Sequence, residues 1–335
     1  MKKIIACILL AAMSLGICGC DDYSDFFDET AEYSDDSYAY KETEAVSDTE
    51  PAGYDSAYED SDITSARDYP YFSRIGSAGD LKGTTLIITI FSDDAKTSWE
   101  LDKPDDLEAY SMAYSNIGIA ADWITQAAAP YSDAAFLWDW VEYPDLVYFT
   151  NTSYDMNEVF EAGEYADLIG AYEDFWGYID ANIPTEQLME KYGAENAVYL
   201  ALFDSDFEQT ITSRTRSWAD ASWMSYPYEV AYMFIRSCGS FSAPAGFAHE
   251  ILHCFGAPDL YLSTEYGITD EYVQWAKEQK INDIMRVTFD NEDNHTRYYD
   301  HISNEMTDIT LYYLGLTDYS ETVAEWGFES NQHIG

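Results

Sequence analysis

Basic side chains are scarce in this sequence. Its 335 residues include 16 Lys and Arg against 63 Asp and Glu, which gives a formal net charge of −47. Nucleic acids and anionic lipid surfaces both attract proteins through clusters of Lys and Arg. We therefore expect no nucleic-acid partner, and no docking of the folded body on lipid headgroups through charge.

Long apolar runs are missing from the interior of the chain. No internal segment approaches the roughly 18 apolar residues that a membrane-spanning helix needs. Hydrophobic residues nevertheless make up 47% of the sequence and aromatic residues 16%, which is typical of a chain with a folded core. At about 150 residues per domain, the length allows one large domain or two small ones.

The N-terminus carries a targeting pattern. Lys2 and Lys3 precede an apolar run over residues 4–17, as in a secretory signal peptide. The run ends in Ile17-Cys18-Gly19-Cys20, which resembles a bacterial lipobox. The resemblance implies a signal peptide over residues 1–19 and a lipid on Cys20, which would anchor the protein on the outer face of a bacterial membrane, at the cell surface. An ordinary cleaved signal peptide is the alternative.

Residues 20–62 are dominated by Asp and Glu, with Lys41 as the one base and almost no aliphatic side chains. Such a segment has too little apolar surface to offset the entropy of ordering. We expect a disordered acidic linker that holds the folded body away from the membrane. A pro-segment that covers the active site is the alternative.

The remaining residues, 70–335, have the pattern of one folded domain. A long amphipathic helix is expected from Leu107 to Ala128, and a mostly helical stretch from Met156 to Tyr192. Short β-branched and aromatic runs predict strands over residues 84–91, 134–140, 146–150, 197–203 and 228–236. This alternation predicts a layered domain of sheet and helices.

The most informative motif begins at His249. His249 and His253 are four residues apart, so on a helix they project from one face about one turn apart. Two imidazoles placed in this way can bind one Zn²⁺, and Glu250 between them can reach a metal-bound water without ligating the metal. Gly256 is expected to end the helix, after which Asp259 can return as a third ligand. The alternative is a helix whose histidines are ordinary core or surface groups.

Three further expectations concern the surroundings of this helix. Ser242 is predicted to cap its N-terminus. Besides Cys20, Cys238 and Cys254 remain once the signal peptide is removed, and outside the cytosol they form either a disulfide or two buried thiols. The acidic residues 290–294 could hold Ca²⁺, but their spacing fits no EF-hand loop, so a solvated acidic turn is favoured.

Two segments resemble known zinc peptidases. The turn Asn282-Asp283-Ile284-Met285-Arg286 resembles the methionine turn of metzincins, and the segment from His249 to Tyr261 resembles the immune inhibitor A family of bacterial metallopeptidases. The resemblance implies an α+β, zincin-like (metzincin-type) catalytic domain with a twisted mixed sheet and helices. It also implies a smaller C-terminal subdomain with the Met285 turn and a closing helix from Ser303 to Gly315.

The same resemblance implies a zinc-dependent endopeptidase that acts on protein or peptide substrates. One Zn²⁺ would be held by His249, His253 and Asp259, with Glu250 as the general base. The candidates for an additional oxyanion donor are Tyr298, Tyr299 and His301.

The sequence also departs from familiar metzincins. Asp259 stands where they place a third histidine, and Val287 stands where several have a tyrosine. Two other functions stay open at this point. One is a degenerate zinc domain that serves as a surface binding or adhesion lipoprotein, and the other is a zinc hydrolase of a non-peptide substrate. The oligomeric state and the cleavage preference are left open as well.

Overall fold

Six strands form one mostly parallel sheet at the centre of the protein. The structure is a computed structural model that describes residues 76–162, 165–207, 213–216, 229–237, 239–262, 267–289 and 296–331. The strands of the sheet are β1 (Thr84–Asp93), β2 (Ala135–Leu137), β3 (Val147–Asn151), β4 (Asn196–Phe203), β5 (Ser213–Arg216) and β6 (Val230–Phe234). Their order is β2-β1-β4-β6-β5, with β3 also paired to β1, and β5 is antiparallel to β6.

Strand β1 organises the sheet because it pairs with three parallel neighbours. Its start pairs with β2, its end pairs with β3, and most of its length pairs with β4. Successive side chains of a strand face opposite sides of the sheet. Accordingly, Ile87 and Phe91 enter one hydrophobic core, whereas Leu86, Ile88 and Ile90 enter a second core on the other face.

Helices cover both faces of the sheet, because parallel strands need crossover connections. The described residues contain eight α-helices: α1 (Pro104–Ala128), α2 (Met156–Ala162), α3 (Tyr165–Asn182), α4 (Thr185–Tyr192), α5 (Pro244–His253), α6 (Asp270–Glu278), α7 (Asp308–Tyr313) and α8 (Glu321–Trp326). Helices α1 and α5 to α8 contribute to the first core, and α2 to α4 contribute to the second. A two-stranded hairpin, β7 (Arg236–Ser237) and β8 (Ser240–Phe241), leads from β6 into α5.

The expected layered domain of sheet and helices is confirmed, as are the long helix and the strand at β1. The sheet is more parallel than an α+β arrangement implies, because α1 and the group α2 to α4 act as crossovers between parallel strands. The strand predicted over residues 134–140 stops at Leu137. A turn follows, in which the carboxylate of Asp139 accepts hydrogen bonds from the backbone of Val141 and Glu142.

The closing helix is shorter than predicted. Helix α7 begins at Asp308 rather than at Ser303, because residues 303–305 pair with the segment that precedes Met285. The amide of Asn282 donates to Ser303 O at 2.9 Å, and Glu305 N donates to Asn282 O at 2.9 Å. The left-handed Gly315, with φ of 69°, follows the helix as expected.

Strand β5, the β7–β8 hairpin and helix α6 were not predicted. No helix in the described part of the chain is long and apolar enough to cross a membrane. The predicted signal peptide, Cys20 and the acidic linker over residues 20–62 lie outside the described residues, as does residue 228 at the start of the predicted final strand.

Candidate metal centre

Helix α5 carries the motif and is anchored in the first core. Pro244 occupies its first turn, where a missing N–H costs nothing. Phe247 and Ile251 are fully buried against the sheet side of the core. The predicted N-cap is wrong: the cap position belongs to Ala243, because the hydroxyl of Ser242 donates to Phe234 O at 2.6 Å instead. The carbonyl of Ser242 accepts the amide of Asn116 from α1 at 2.6 Å.

The C-terminal end of α5 is closed by a tight turn. Gly256 has φ of 91°, the left-handed conformation predicted for it, and its N–H donates to His253 O at 2.8 Å. The N-terminal segment of the described chain packs on this turn, where Ala78 N donates to Cys254 O at 2.9 Å. The chain then reverses, so that Asp259 comes back beside the two histidines.

The three predicted ligands meet in one place. The Nε2 atoms of His249 and His253 are 3.1 Å apart, and each lies 3.2 Å from Oδ1 of Asp259. Among the described residues, this is the one group of His, Cys, Asp and Glu side chains that could hold a metal ion. His249 is buried, while His253 and Asp259 are partly exposed. The site therefore has a closed side toward the core and an open side toward solvent.

Backbone carbonyls fix the tautomers of both imidazoles. Nδ1 of His249 lies 3.0 Å from Ile284 O, and Nδ1 of His253 lies 2.7 Å from Ala257 O. A carbonyl only accepts, so each Nδ1 must carry a proton. In neutral imidazoles each Nε2 then presents a lone pair. Two nitrogen lone pairs and a carboxylate oxygen converge, and this set of acceptors requires a positive charge between them.

In the absence of a metal, a proton supplies part of that charge. Burial alone would lower the pKa of His253, but the Asp259 carboxylate next to it raises this pKa to about 9. Burial would raise the pKa of Asp259, but the two imidazoles hold it well below its usual range. A site that draws a proton onto an imidazole in this way is also suited to a cation.

The spacing of the triad fits a tetrahedral zinc site. Zn–N and Zn–O bonds are about 2.0–2.2 Å, which places neighbouring ligand atoms of a tetrahedron about 3.3–3.6 Å apart. The observed separations of 3.1 to 3.2 Å lie just below this range. The Nδ1–H contacts to carbonyls are the interactions that usually orient zinc-binding histidines. The residues therefore fit Zn²⁺ in donor chemistry, and their spacing is within a few tenths of an ångström of the tetrahedral range.

Glu250 lies beside the triad and does not belong to it. The side chain is 4% exposed, and its carboxylate is close enough to His253 to help raise the pKa of that imidazole. It also contributes to the raised pKa of the Cys254 thiol, after the larger effect of burial. A carboxylate at the margin of a metal site can move protons there without holding the metal.

The turn at Met285 passes beneath the triad. Met285 is fully buried, and its carbonyl accepts a hydrogen bond from Leu260 N at 2.9 Å. The preceding carbonyl, Ile284 O, orients His249. The turn thus contacts the predicted ligand His249 directly, and it contacts Leu260, the residue after the predicted ligand Asp259. The sequence indicated the turn but not the role of Ile284 O, because a backbone acceptor leaves no side-chain signature.

Tyr261 is a site residue that sequence reasoning missed. Its ring stacks on the imidazole of His249, with centroids 6.1 Å apart and planes inclined by 29°. The side chain is 50% exposed, so it forms a wall at the open side of the triad. The available signal was its position two residues after Asp259.

The predicted oxyanion donors are placed by other contacts. The hydroxyl of Tyr299 donates to Phe241 O at 3.1 Å, which ties this segment to the β7–β8 hairpin. Tyr298 stacks on His301 with centroids 4.3 Å apart, and Nδ1 of His301 lies 2.7 Å from the carboxylate of Asp300. A catalytic role for these three residues stays a prediction.

Of the two cysteines considered for a disulfide, the structure describes Cys254 alone. Cys254 has a free, buried thiol, which contacts Glu250 O at 3.7 Å within its own helix, and burial raises the pKa of that thiol. Its predicted partner Cys238 lies outside the described residues, and so does the acidic segment over residues 290–294 considered for Ca²⁺.

The chain matches no family model and no curated protein. The grounds for a function are therefore the atoms of the site itself: three converging ligands, a neighbouring carboxylate and a turn that orients one of the histidines.

Proposed function

We propose that this protein is a zinc-dependent endopeptidase. The observation that carries the proposal is the convergence of His249, His253 and Asp259, whose ligand atoms lie 3.1 to 3.2 Å apart with both Nδ1 atoms bound to carbonyls. Three protein ligands and an open fourth position are typical of catalytic zinc sites, whereas structural sites are closed by four protein ligands.

His249, His253 and Asp259 would hold the metal. A bound Zn²⁺ lowers the pKa of water and polarises a carbonyl oxygen, which are the two requirements of amide hydrolysis at neutral pH. The partial exposure of His253 and Asp259 gives solvent and substrate access to the site from one side.

Glu250 would transfer the proton. As a carboxylate, it accepts a proton from the attacking water and passes it to the nitrogen of the departing amine. Its position on α5, one residue after His249 and three before His253, keeps it close to both imidazoles without making it a ligand. Burial of Glu250 protects this exchange from bulk water.

A peptide is favoured as the substrate because the edge strand of the described sheet packs beside the helix that carries the two histidines. Strand β5 is the last strand of the sheet in the described part of the chain, and it packs beside α5. An extended peptide can add to such an edge through main-chain hydrogen bonds. A non-peptide ligand would make no comparable use of this edge.

The finer fold assignment belongs to the same proposal. A helix with the sequence His-Glu-Ile-Leu-His that covers a mostly parallel sheet, and a methionine turn beneath its first histidine, support a metzincin-type zincin similar to the immune inhibitor A peptidases. The lipobox-like sequence at Cys20 supports a lipid-anchored protein at the bacterial cell surface.

The test uses the purified full chain and a proteome-derived peptide library. The zinc-loaded protein should cleave internal peptide bonds, chelation should stop cleavage, and added zinc should restore it. Asp259→Ala should lower zinc affinity at least about tenfold, because one of three protein ligands is lost. A zinc-loaded protein that cleaves no peptide would contradict the proposal, and full zinc occupancy in Asp259→Ala would remove Asp259 from the ligand set.

A further inference from the structure

A fully buried carboxylate lies within the Met285 turn, two residues before Met285 itself. Asp283 is 0% exposed and accepts four hydrogen bonds. Its Oδ1 accepts from Met285 N at 2.7 Å and from Thr310 Oγ1 at 2.8 Å, and its Oδ2 accepts from Thr307 N at 2.8 Å and Thr307 Oγ1 at 2.6 Å. A buried carboxylate is costly unless donors surround it, and here two backbone and two hydroxyl donors do so.

These bonds join the turn to the start of helix α7. Thr307 is the N-cap residue of α7, and Thr310 lies in its first turn. The backbone adds a second attachment, since Ile284 N donates to Glu305 O at 2.9 Å. Through Asp283, the turn is therefore held rigidly against a helix that itself belongs to the first core.

The other side of the turn faces the metal triad. Ile284 O accepts the Nδ1 proton of His249, and Met285 O accepts a hydrogen bond from Leu260 N, the residue after Asp259. A displacement of the turn would rotate the imidazole of His249 and shift the backbone that carries Asp259. Groups that orient metal-binding histidines typically change metal affinity by about 10–100-fold when they are altered.

We propose that Asp283 is a positioning residue for the metal centre. By binding the turn to α7, it sets the direction in which Nε2 of His249 and the carboxylate of Asp259 face the cation. This inference rests on the proposed zinc site, but it does not depend on peptide cleavage. A purely structural Asp283 would affect unfolding alone.

The substitution Asp283→Asn separates these roles. One side-chain oxygen becomes an amide NH₂, which is a donor. In one orientation of the side chain this NH₂ faces the N–H of Met285, and in the other it faces the N–H of Thr307, so one acceptor is lost in each case. Asp308 offers a matched control on the same helix. Its carboxylate accepts from Ser320 Oγ at 2.6 Å and from Thr322 N and Oγ1 at 3.0 and 2.8 Å, so it joins α7 to α8 through a similar set of donors.

The measurement is the dissociation constant of Zn²⁺, from competition with a chelating dye, together with the visible spectrum of bound Co²⁺, which reports ligand geometry. Asp283→Asn should weaken zinc binding about 10–100-fold and alter the Co²⁺ spectrum. Both Asp283→Asn and Asp308→Asn should lower Tm. Asp308→Asn should leave zinc affinity within about twofold, because the Asp308 carboxylate does not bind the Met285 turn. Thr310→Val, which removes one hydroxyl donor, should give a smaller loss that Thr310→Ser restores.

A folded Asp283→Asn with wild-type zinc affinity and Co²⁺ spectrum would overturn the inference, and so would an equal loss of affinity in Asp308→Asn. If Asp283→Asn does not fold, Thr310→Val decides the question. A Thr310→Val protein that binds zinc with wild-type affinity would then overturn the inference. A wild-type protein that binds no zinc overturns the proposed function and this inference together, whereas zinc binding that is insensitive to Asp283 overturns this inference alone.

Discussion

Each imidazole of the triad has one nitrogen committed to a backbone carbonyl, Ile284 O for His249 and Ala257 O for His253. The other nitrogen of each faces Oδ1 of Asp259 at 3.2 Å. A metal bound here would compete with a proton for the same place, because His253 can bind only one of them at Nε2. This competition makes metal affinity depend on pH.

Zinc affinity should rise with pH up to about 9. The pKa of His253 is raised to about 9 in the metal-free protein, so this imidazole is protonated at pH 7 and must lose its proton to bind zinc. We expect release of about one proton per zinc from His253 at pH 7. Titration calorimetry in two buffers of different ionisation enthalpy measures this number.

Asp259→Asn is the matched control, because it removes the carboxylate that raises the pKa of His253. The pKa of His253 should return toward the ordinary value of about 6.5, and proton release at pH 7 should fall. Equal proton release by wild type and Asp259→Asn would show that Asp259 does not hold the His253 proton.

The grouping of His249, His253 and Asp259 could be predicted from spacing, since residues i and i+4 share one face of a helix and a glycine ends it. The partners that orient them could not. Ile284 is 35 residues from His249 and acts through its carbonyl, which any residue possesses. Tyr261 contacts His249 through a chain reversal whose direction the sequence pattern does not specify.

The end of α5 is the element on which the site depends most closely. The turn over residues 254–257 carries Ala257 O, the acceptor that orients His253. Gly76 lies against this turn with φ of 72°, and a Cβ there would be 2.3 Å from Cys254 O and 2.5 Å from Gly256 N. Only a residue without a side chain permits this approach of two backbone segments.

Gly76→Ala should therefore be more damaging than Gly193→Ala. Gly193 has a similar φ of 64°, but a Cβ there would meet nothing within 4 Å. Left-handed strain alone costs about 1–2 kcal/mol, which is the loss expected for Gly193→Ala. Gly76→Ala adds a backbone clash and should lose more than about 3 kcal/mol of unfolding free energy. Denaturant titration measures both, and equal losses would contradict close packing at Gly76.

Element types were predictable where the hydrophobic period was long and regular, as in β1 and α1. Strand β5 was missed because its residues, Ser-Arg-Thr-Arg, carry no apolar alternation and are held in place by pairing with β6. Helix α7 was predicted too long because residues 303–305 pair with the segment before Met285. In both cases, contacts between segments that are distant in the sequence made the observed element differ from the predicted one.

The net charge of the whole molecule limits the ways in which it could attach to a membrane. The net charge of −47 disfavours association with anionic surfaces. Attachment to a membrane would then rely on the lipid proposed at Cys20. Two or more acyl chains anchor a protein stably where one does so only marginally.

Cys20→Ala should release the protein from the membrane fraction or leave an unprocessed precursor. The physical reason is that the acyl chains proposed on Cys20 would supply the membrane affinity. Cell fractionation, with mass spectrometry of the mature N-terminus, measures the outcome. Cys18→Ala is the matched control and should leave the anchor in place. An unmodified N-terminus at another residue would contradict lipidation at Cys20.

Comparing wild type and Glu250→Gln at equal zinc loading on one peptide library tests whether the proposed metal centre hydrolyses peptide bonds. Gln keeps the size of the side chain and one acceptor but cannot take a proton. Zinc content and Tm should be unchanged, whereas turnover should fall by about 10²–10⁴-fold, the usual contribution of a general base. Equal cleavage rates for the two proteins would contradict the proposal.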